Sequence, residues 1–289
     1  MFDRPPFVDA HVHFWDHAVP GLDWAWLRPD FTHPRLGELK RLDAPRYATE
    51  ELRAETAGLG VTKVVHVQAA RTDDPVIETA WLQRLGDSSG WPSAIVGHCD
   101  LARTDVAAVV ARHAAFDRFR GVRDIPAGTR LAEPALARAF DALERAGVSV
   151  EVMTSHEHFG ALLHLARTHP ELTVVVGHAG LPVQRDDAYF GAWSAAMRRV
   201  GGASNTVCKI SALAGAERSW TVAGIRRWVL GCIEAFGPER CMLASNWPVD
   251  KLFVGYREFL EGMSDIAAEL SVAERRAIFS ETAERIYGI

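Results

Sequence analysis

The chain has 289 residues, 48% of them hydrophobic and 24% charged, with a formal net charge of -5. That is ordinary for a globular protein with room for one barrel-sized domain. Its Lys and Arg residues are scattered, which argues against nucleic acid as a partner, and no apolar run approaches the roughly 20 residues of a membrane span or the apolar core of a secretion leader.

In chain order, the first β-rich run is 7–11 (FVDAH), with His13 two residues beyond His11. Alternate residues of a strand face one side, so His11 and His13 can share one metal ion or one substrate oxygen. Residues 14–48 show no periodicity and are rich in Trp, Pro and charge. A loop that long inside a compact domain is usually functional, and it is expected to cover the site, with Trp15, Trp24 and Trp26 as apolar walls.

Segment 49–59 has helical character, with Thr49 as the expected N-cap and an end near Gly60. The next β-rich runs are 61–69, 94–98 and 119–123, closing on Gln68, on His98 and Asp100, and on Arg123-Asp124. Arg123 suits a carboxylate or oxygen-rich substrate, or an ion pair with Asp124 or Glu151. Segment 133–146 reads as a helix with Pro134 in its first turn and Gly147 as a left-handed cap.

Run 148–153 carries Glu151, whose burial requires a partner: a metal, an Arg, a Lys, or a helix residue outside the sheet. His156 and His158 follow it. Runs 173–178, 206–210 and 240–245 bring His178, then Lys209 and Ser211, then Ser245 and Asn246. Helical segments follow, the last at 271–287 with the capping-box pair Ser271 and Glu274.

Eight strands separated by seven helical segments predict a parallel sheet. Without an evident linker or a dinucleotide- or phosphate-binding glycine motif after the first strand, a closed (β/α)₈ barrel over 1–289 is favoured, with a long strand-1 loop and C-terminal helices. Chemistry in such a barrel sits at the C-terminal strand ends, where the histidines, Arg123 and Asn246 lie. Cys99, Cys208, Cys232 and Cys241 form no C-x-x-C pair and read as buried free thiols in a cytoplasmic protein.

The set DAHVHFWD at 9–16, FRGVR at 119–123, VVGHAGLP at 175–182, CKISALAG at 208–215 and CMLASNWPVD at 241–250 resembles the amidohydrolase superfamily. More narrowly it resembles the amidohydrolase-2 branch, which contains sugar-acid lactonases and 2-pyrone-4,6-dicarboxylate lactonase. The resemblance implies a distorted (β/α)₈ barrel. His11, His13 and His178 then match residues that bind metal or the substrate carbonyl, and Arg123 matches a substrate-contacting arginine. The usual Ser-Asp-Trp-Pro of the last strand reads Ser245-Asn246-Trp247-Pro248 here.

A neutral amide cannot take a proton as a carboxylate does, which leaves His178, Glu151, His156 and Asp250 as alternative bases. The implied reaction is hydrolysis of a small lactone, with Zn²⁺ or another divalent metal as a cofactor that is not obligatory. Arg123, Lys209, Trp15, Trp247 and Asp250 are the expected substrate contacts. A metal-dependent decarboxylase and a catalytically dead ligand-binding barrel are the rival readings.

Overall fold

Short β-branched runs, each followed by an amphipathic segment, build eight parallel strands paired in chain order. They are β1 Phe7–Val12, β2 Val61–Val67, β3 Ala94–His98, β4 Phe119–Arg123, β5 Ser149–Val152, β6 Val174–Val176, β7 Thr206–Ile210 and β8 Cys241–Leu243. The computed structural model describes residues 5–70, 72–215 and 218–289. Every predicted strand is present: three keep their predicted bounds, β1 gains Val12, and the other four are two or three residues shorter.

The ring closes between β8 and β1. His13 N donates to Trp247 O at 2.8 Å beside a Val12–Trp247 bridge. The buried Asp9 carboxylate reinforces this seam, accepting from Ser245 N at 2.9 Å, Ser245 Oγ and Tyr256 OH at 2.7 Å. Asp9 is therefore a structural stitch that accounts for two of the quoted sequence motifs at once.

Val8, Ala10, Val65, Val96, Val207 and Met242 form a cluster inside the barrel, which Ala283 and Tyr287 of the C-terminal helix plug. The larger apolar cluster fills the layer between strands and helices. Among the described residues no helix is long and apolar enough to cross a membrane.

The helices match expectation with two differences. The first runs Thr49–Thr56, with Ala48 rather than Thr49 at its N-cap. Glu51 accepts from Ala48 N, and Thr49 Oγ1 is turned away to donate to Trp91 O. The last helical stretch keeps its Ser271–Glu274 capping box but is broken by a π-helical turn at Ala277–Glu281. The helix Pro134–Ala146 ends at Gly147 with φ 65°, the left-handed cap its sequence implied.

Candidate active site

A β-bulge in β1 aims the first two imidazoles. Asp9 pairs with Val64 and Val12 with His66, so Ala10 and His11 together oppose the single Val65. Simple alternation from Val8 and Ala10 would turn His11 and His13 out toward the helices. The extra residue restarts the alternation and turns both into the barrel, a common use of bulges beside active sites.

His13 Nδ1 lies 2.8 Å from Val67 O and must donate to it, which leaves Nε2 as a lone pair. That nitrogen faces His11 Nε2 at 3.2 Å. Burial and neighbouring cations hold both imidazoles well below the usual histidine range, so they are neutral at physiological pH.

Arg123, at the end of β4, is buried among these rings. One amino group donates to Gln68 O and Oε1, and the other approaches His11 Nε2 at 3.4 Å. Among the described residues its buried Nε has no hydrogen-bond partner. Deeper in the barrel, Lys209 on β7 pairs with Glu151 on β5, and Tyr287 OH donates to the same carboxylate oxygen at 2.7 Å.

This corrects two sequence expectations. Glu151, expected as a catalytic group, points into the barrel, pairs with the lysine that was one of its possible partners, and does not line the cavity. Lys209, expected as a substrate contact, lies beneath the site and does not line the cavity. Breaking such a pair leaves a buried charge uncompensated. Lys209→Met is expected to lower stability by about 3–5 kcal/mol, measured as a fall in the urea unfolding midpoint with unchanged slope.

His178 and Asn246 follow β6 and β8 in left-handed backbone, with φ 51° and 58°. Ala179, Leu181 and Ala212 share it, with φ between 49° and 55°. Such residues cost about 1–3 kcal/mol each and cluster at functional sites. His178 Nδ1 is 2.8 Å from Ser211 Oγ, leaving Nε2 for the cavity. Desolvation, then Arg123 and Lys209, keep this imidazole neutral as well.

Asn246 Nδ2 donates to Asp250 Oδ1 at 2.8 Å, which turns the amide oxygen away from Asp250. Asp250 thus stands behind Asn246 and does not line the cavity. Burial lifts the Asp250 carboxyl from its ordinary 3.8 to about 7. Between those values the folded chain keeps a proton that the unfolded chain releases. Stability therefore falls as pH rises through that window and levels off above about 7.

Ionised Asp250 holds the amide in one orientation. Turnover is expected to rise with pH with a midpoint near 7, since all three imidazoles titrate well below their ordinary value. Asp250→Asn should abolish that limb in a pH–kcat profile. A limb that persists unchanged would remove Asp250 from this role.

A cavity of about 560 Å³ opens on this group and is lined by His13, Gln68, Arg123, His178 and Asn246. The loop after β1 covers it, as its length implied, and contributes Trp26, Phe31, His33 and Arg35. His33 and Arg35 carried no periodic signal and were not singled out by sequence. The loop is not structureless: it holds two antiparallel pairs, Trp15–Asp16 with Arg46–Tyr47 and Thr32–His33 with Gly37–Glu38.

Two expected substrate contacts lie elsewhere. Trp15 is fully buried, stacks on Tyr47 and donates to Ala44 O, so it braces the loop. Trp247 packs edge-on against Tyr256 and donates to Glu55 at 2.7 Å. His98 borders Asp124 and accepts on its carbonyl from His113, while His156 packs edge-on against Tyr189. His158 ends the short helical turn His156–His158. None of the three lines the cavity.

A resident metal does not fit this arrangement. The 3.2 Å between the two Nε2 atoms suits one edge of a tetrahedral zinc site, about 3.3 Å for Zn–N bonds near 2.0–2.1 Å. However, the Arg123 guanidinium sits 3.4 Å from His11 Nε2 and would repel a cation there. Among the described residues no three His, Cys, Asp or Glu side chains are arranged to hold a metal ion.

The family model described as Amidohydrolase matches residues 8–289. A protein of Sinorhizobium fredii named "Uncharacterized protein y4mH" is 32% identical over 98% of both chains. The L-fucono-1,5-lactonase of Burkholderia multivorans is 30% identical over 98% of this chain and 96% of its own. Among solved structures, an amidohydrolase from Burkholderia multivorans with bound HEPES superposes with a TM-score of 0.83 at 26% identity, covering 99% of this chain and 100% of that one. A second crystal form of that amidohydrolase holds zinc, with a TM-score of 0.82 at 25% identity and the same coverage.

Proposed function

Because the chain belongs to the amidohydrolase family, we propose that it is a lactonase, opening a cyclic ester by attack of water at the barrel mouth. The observation that carries this reading is the unpartnered Arg123 Nε, buried among three neutral imidazoles beside one cavity. An orphan buried donor costs about 1–3 kcal/mol, and an ester carbonyl oxygen placed there relieves it. The L-fucono-1,5-lactonase relative supports the same reaction class.

In the proposed reaction the carbonyl oxygen accepts from Arg123, and a water lies between the Asn246 amide oxygen and His178 Nε2. Water oxygen adds to the carbonyl carbon as its proton passes to His178 Nε2. Charge developing on the carbonyl oxygen falls on Arg123, with Lys209 below, where the low dielectric strengthens the interaction. The ring C–O bond then breaks, and His178 returns the proton to the leaving oxygen. The product is a hydroxy acid. No step passes through a metal.

Ring opening releases acid, so a pH-indicator assay over simple lactones tests the reading. Acid release that depends on protein and scales with its concentration is the expected result. Carbon dioxide release from aromatic carboxylic acids, with no lactone consumed, would replace lactonase with decarboxylase. Binding without either reaction would indicate a ligand-binding barrel.

A further inference from the structure

We propose that the cavity carries a subsite for an apolar substituent, so that the preferred lactone bears an alkyl or aryl group instead of a row of hydroxyls. The proposal rests on the lactone reading above. The polar side chains from the strand ends all belong to the reacting centre: His13, Gln68, Arg123, His178 and Asn246. The rest of the lining is dominated by apolar groups, among them Phe31, Leu36 and Leu39 from the covering loop and Ile125, Met153 and Val249 beyond the strands. Among the described lining residues there is no Asp, Glu, Ser, Thr or Tyr, and beyond the reacting centre only His33 and Arg35 offer polar side chains.

The aromatic wall is also stripped of polarity. Trp26 donates its indole N–H to Ala69 O at 2.8 Å, so only its ring is available to a ligand. His33 Nδ1 accepts from the backbone N–H groups of Arg35 and Leu36, which leaves Nε2–H as the single polar group of that ring. A substrate hydroxyl placed against the Trp26, Phe31, Leu36, Ile125 and Met153 surfaces, away from Arg35 and His33, would lose water and gain no partner. A methylene placed there gains by leaving water.

Size and exposure agree. A volume of about 560 Å³ lies well within the range that holds a drug-sized ligand, roughly 300–1,000 Å³, and leaves space beyond a bare lactone ring. Among the described residues the exposed large hydrophobic ones are Ile125, Val183 and Val272. Of these, Ile125 lines the cavity, so the apolar surface extends to the rim there.

The test is a series of γ-alkyl butyrolactones from methyl to hexyl, compared with a polyhydroxylated aldonolactone. The expected kcat/KM rises about threefold per methylene over the first few carbons and exceeds that of the aldonolactone at least about tenfold. A flat series, or preference for the aldonolactone, overturns the proposal. Matched alkyl and hydroxylated lactams, followed by tryptophan fluorescence, separate binding from turnover.

Tighter binding of the alkyl lactam without hydrolysis of any lactone would retain the apolar subsite and discard the lactonase reading. Equal binding of both lactams would discard the subsite. Leu36→Asn, and Met153→Gln as a second variant, should flatten the chain-length dependence. A dependence unchanged in both folded variants would place the subsite elsewhere and overturn this assignment.

Discussion

Replacement of His178 by Ala is expected to lower kcat on a lactone substrate by about 10²-fold or more. The imidazole is held by Ser211 on one side and turns its other nitrogen to the cavity. It stays neutral because it is buried and flanked by cations, which keeps it ready to accept a proton from water. Alanine carries the same Cβ, so the cost of the left-handed backbone changes little, while the proton acceptor is gone. Folding should be little affected, since the residue lies against the cavity and not in the apolar layer. Near-normal turnover in a well-folded His178→Ala protein would exclude the residue from the chemistry.

Much of this architecture is legible in the sequence because strand and helix periods differ. Eight β-rich runs and their strand-end residues place His13, Arg123, His178 and Asn246 around one opening without reference to coordinates. The bulge at Ala10–His11 is not legible: two histidines at alternate positions share a face, yet nothing in the pattern says which face. Glu151 was ambiguous for the same reason. Its partners are a lysine two strands away and a tyrosine at the far end of the chain, and separation of that kind leaves no local signal.

The covering loop illustrates a different limit. Its tryptophans stand out by composition, but Trp15 braces the loop from within while Trp26 faces the cavity. Only the fold distinguishes a packing aromatic from a contacting one. Phe31, Leu36 and Arg35 line the cavity from a segment with almost no regular structure, where hydrophobic periodicity carries no information. Asp250 was read as a substrate contact from its motif. It hydrogen-bonds Asn246 and does not line the cavity, a placement set by the short helical turn Val249–Leu252.

Asn246 carries the second large effect. Treatment with a chelator followed by dialysis is expected to leave most of the turnover intact, and Asn246→Asp is expected to bind Zn²⁺ at least about tenfold more tightly than the parent. Divalent metals are held by a full carboxylate charge far better than by an amide dipole, and the charge count of the donors sets much of the affinity. The parent offers two neutral imidazole nitrogens 3.2 Å apart, with the Arg123 guanidinium beside one of them. An aspartate at 246 would add an anion next to Asp250, whose own carboxyl is already lifted to about 7 by burial. Two such carboxylates repel one another, and a bound cation relieves that repulsion. Isothermal titration with Zn²⁺ on parent and variant measures the difference directly. Complete loss of turnover on chelation, restored by one equivalent of Zn²⁺, would show that a metal carries the reaction and that Arg123 must move aside to admit it.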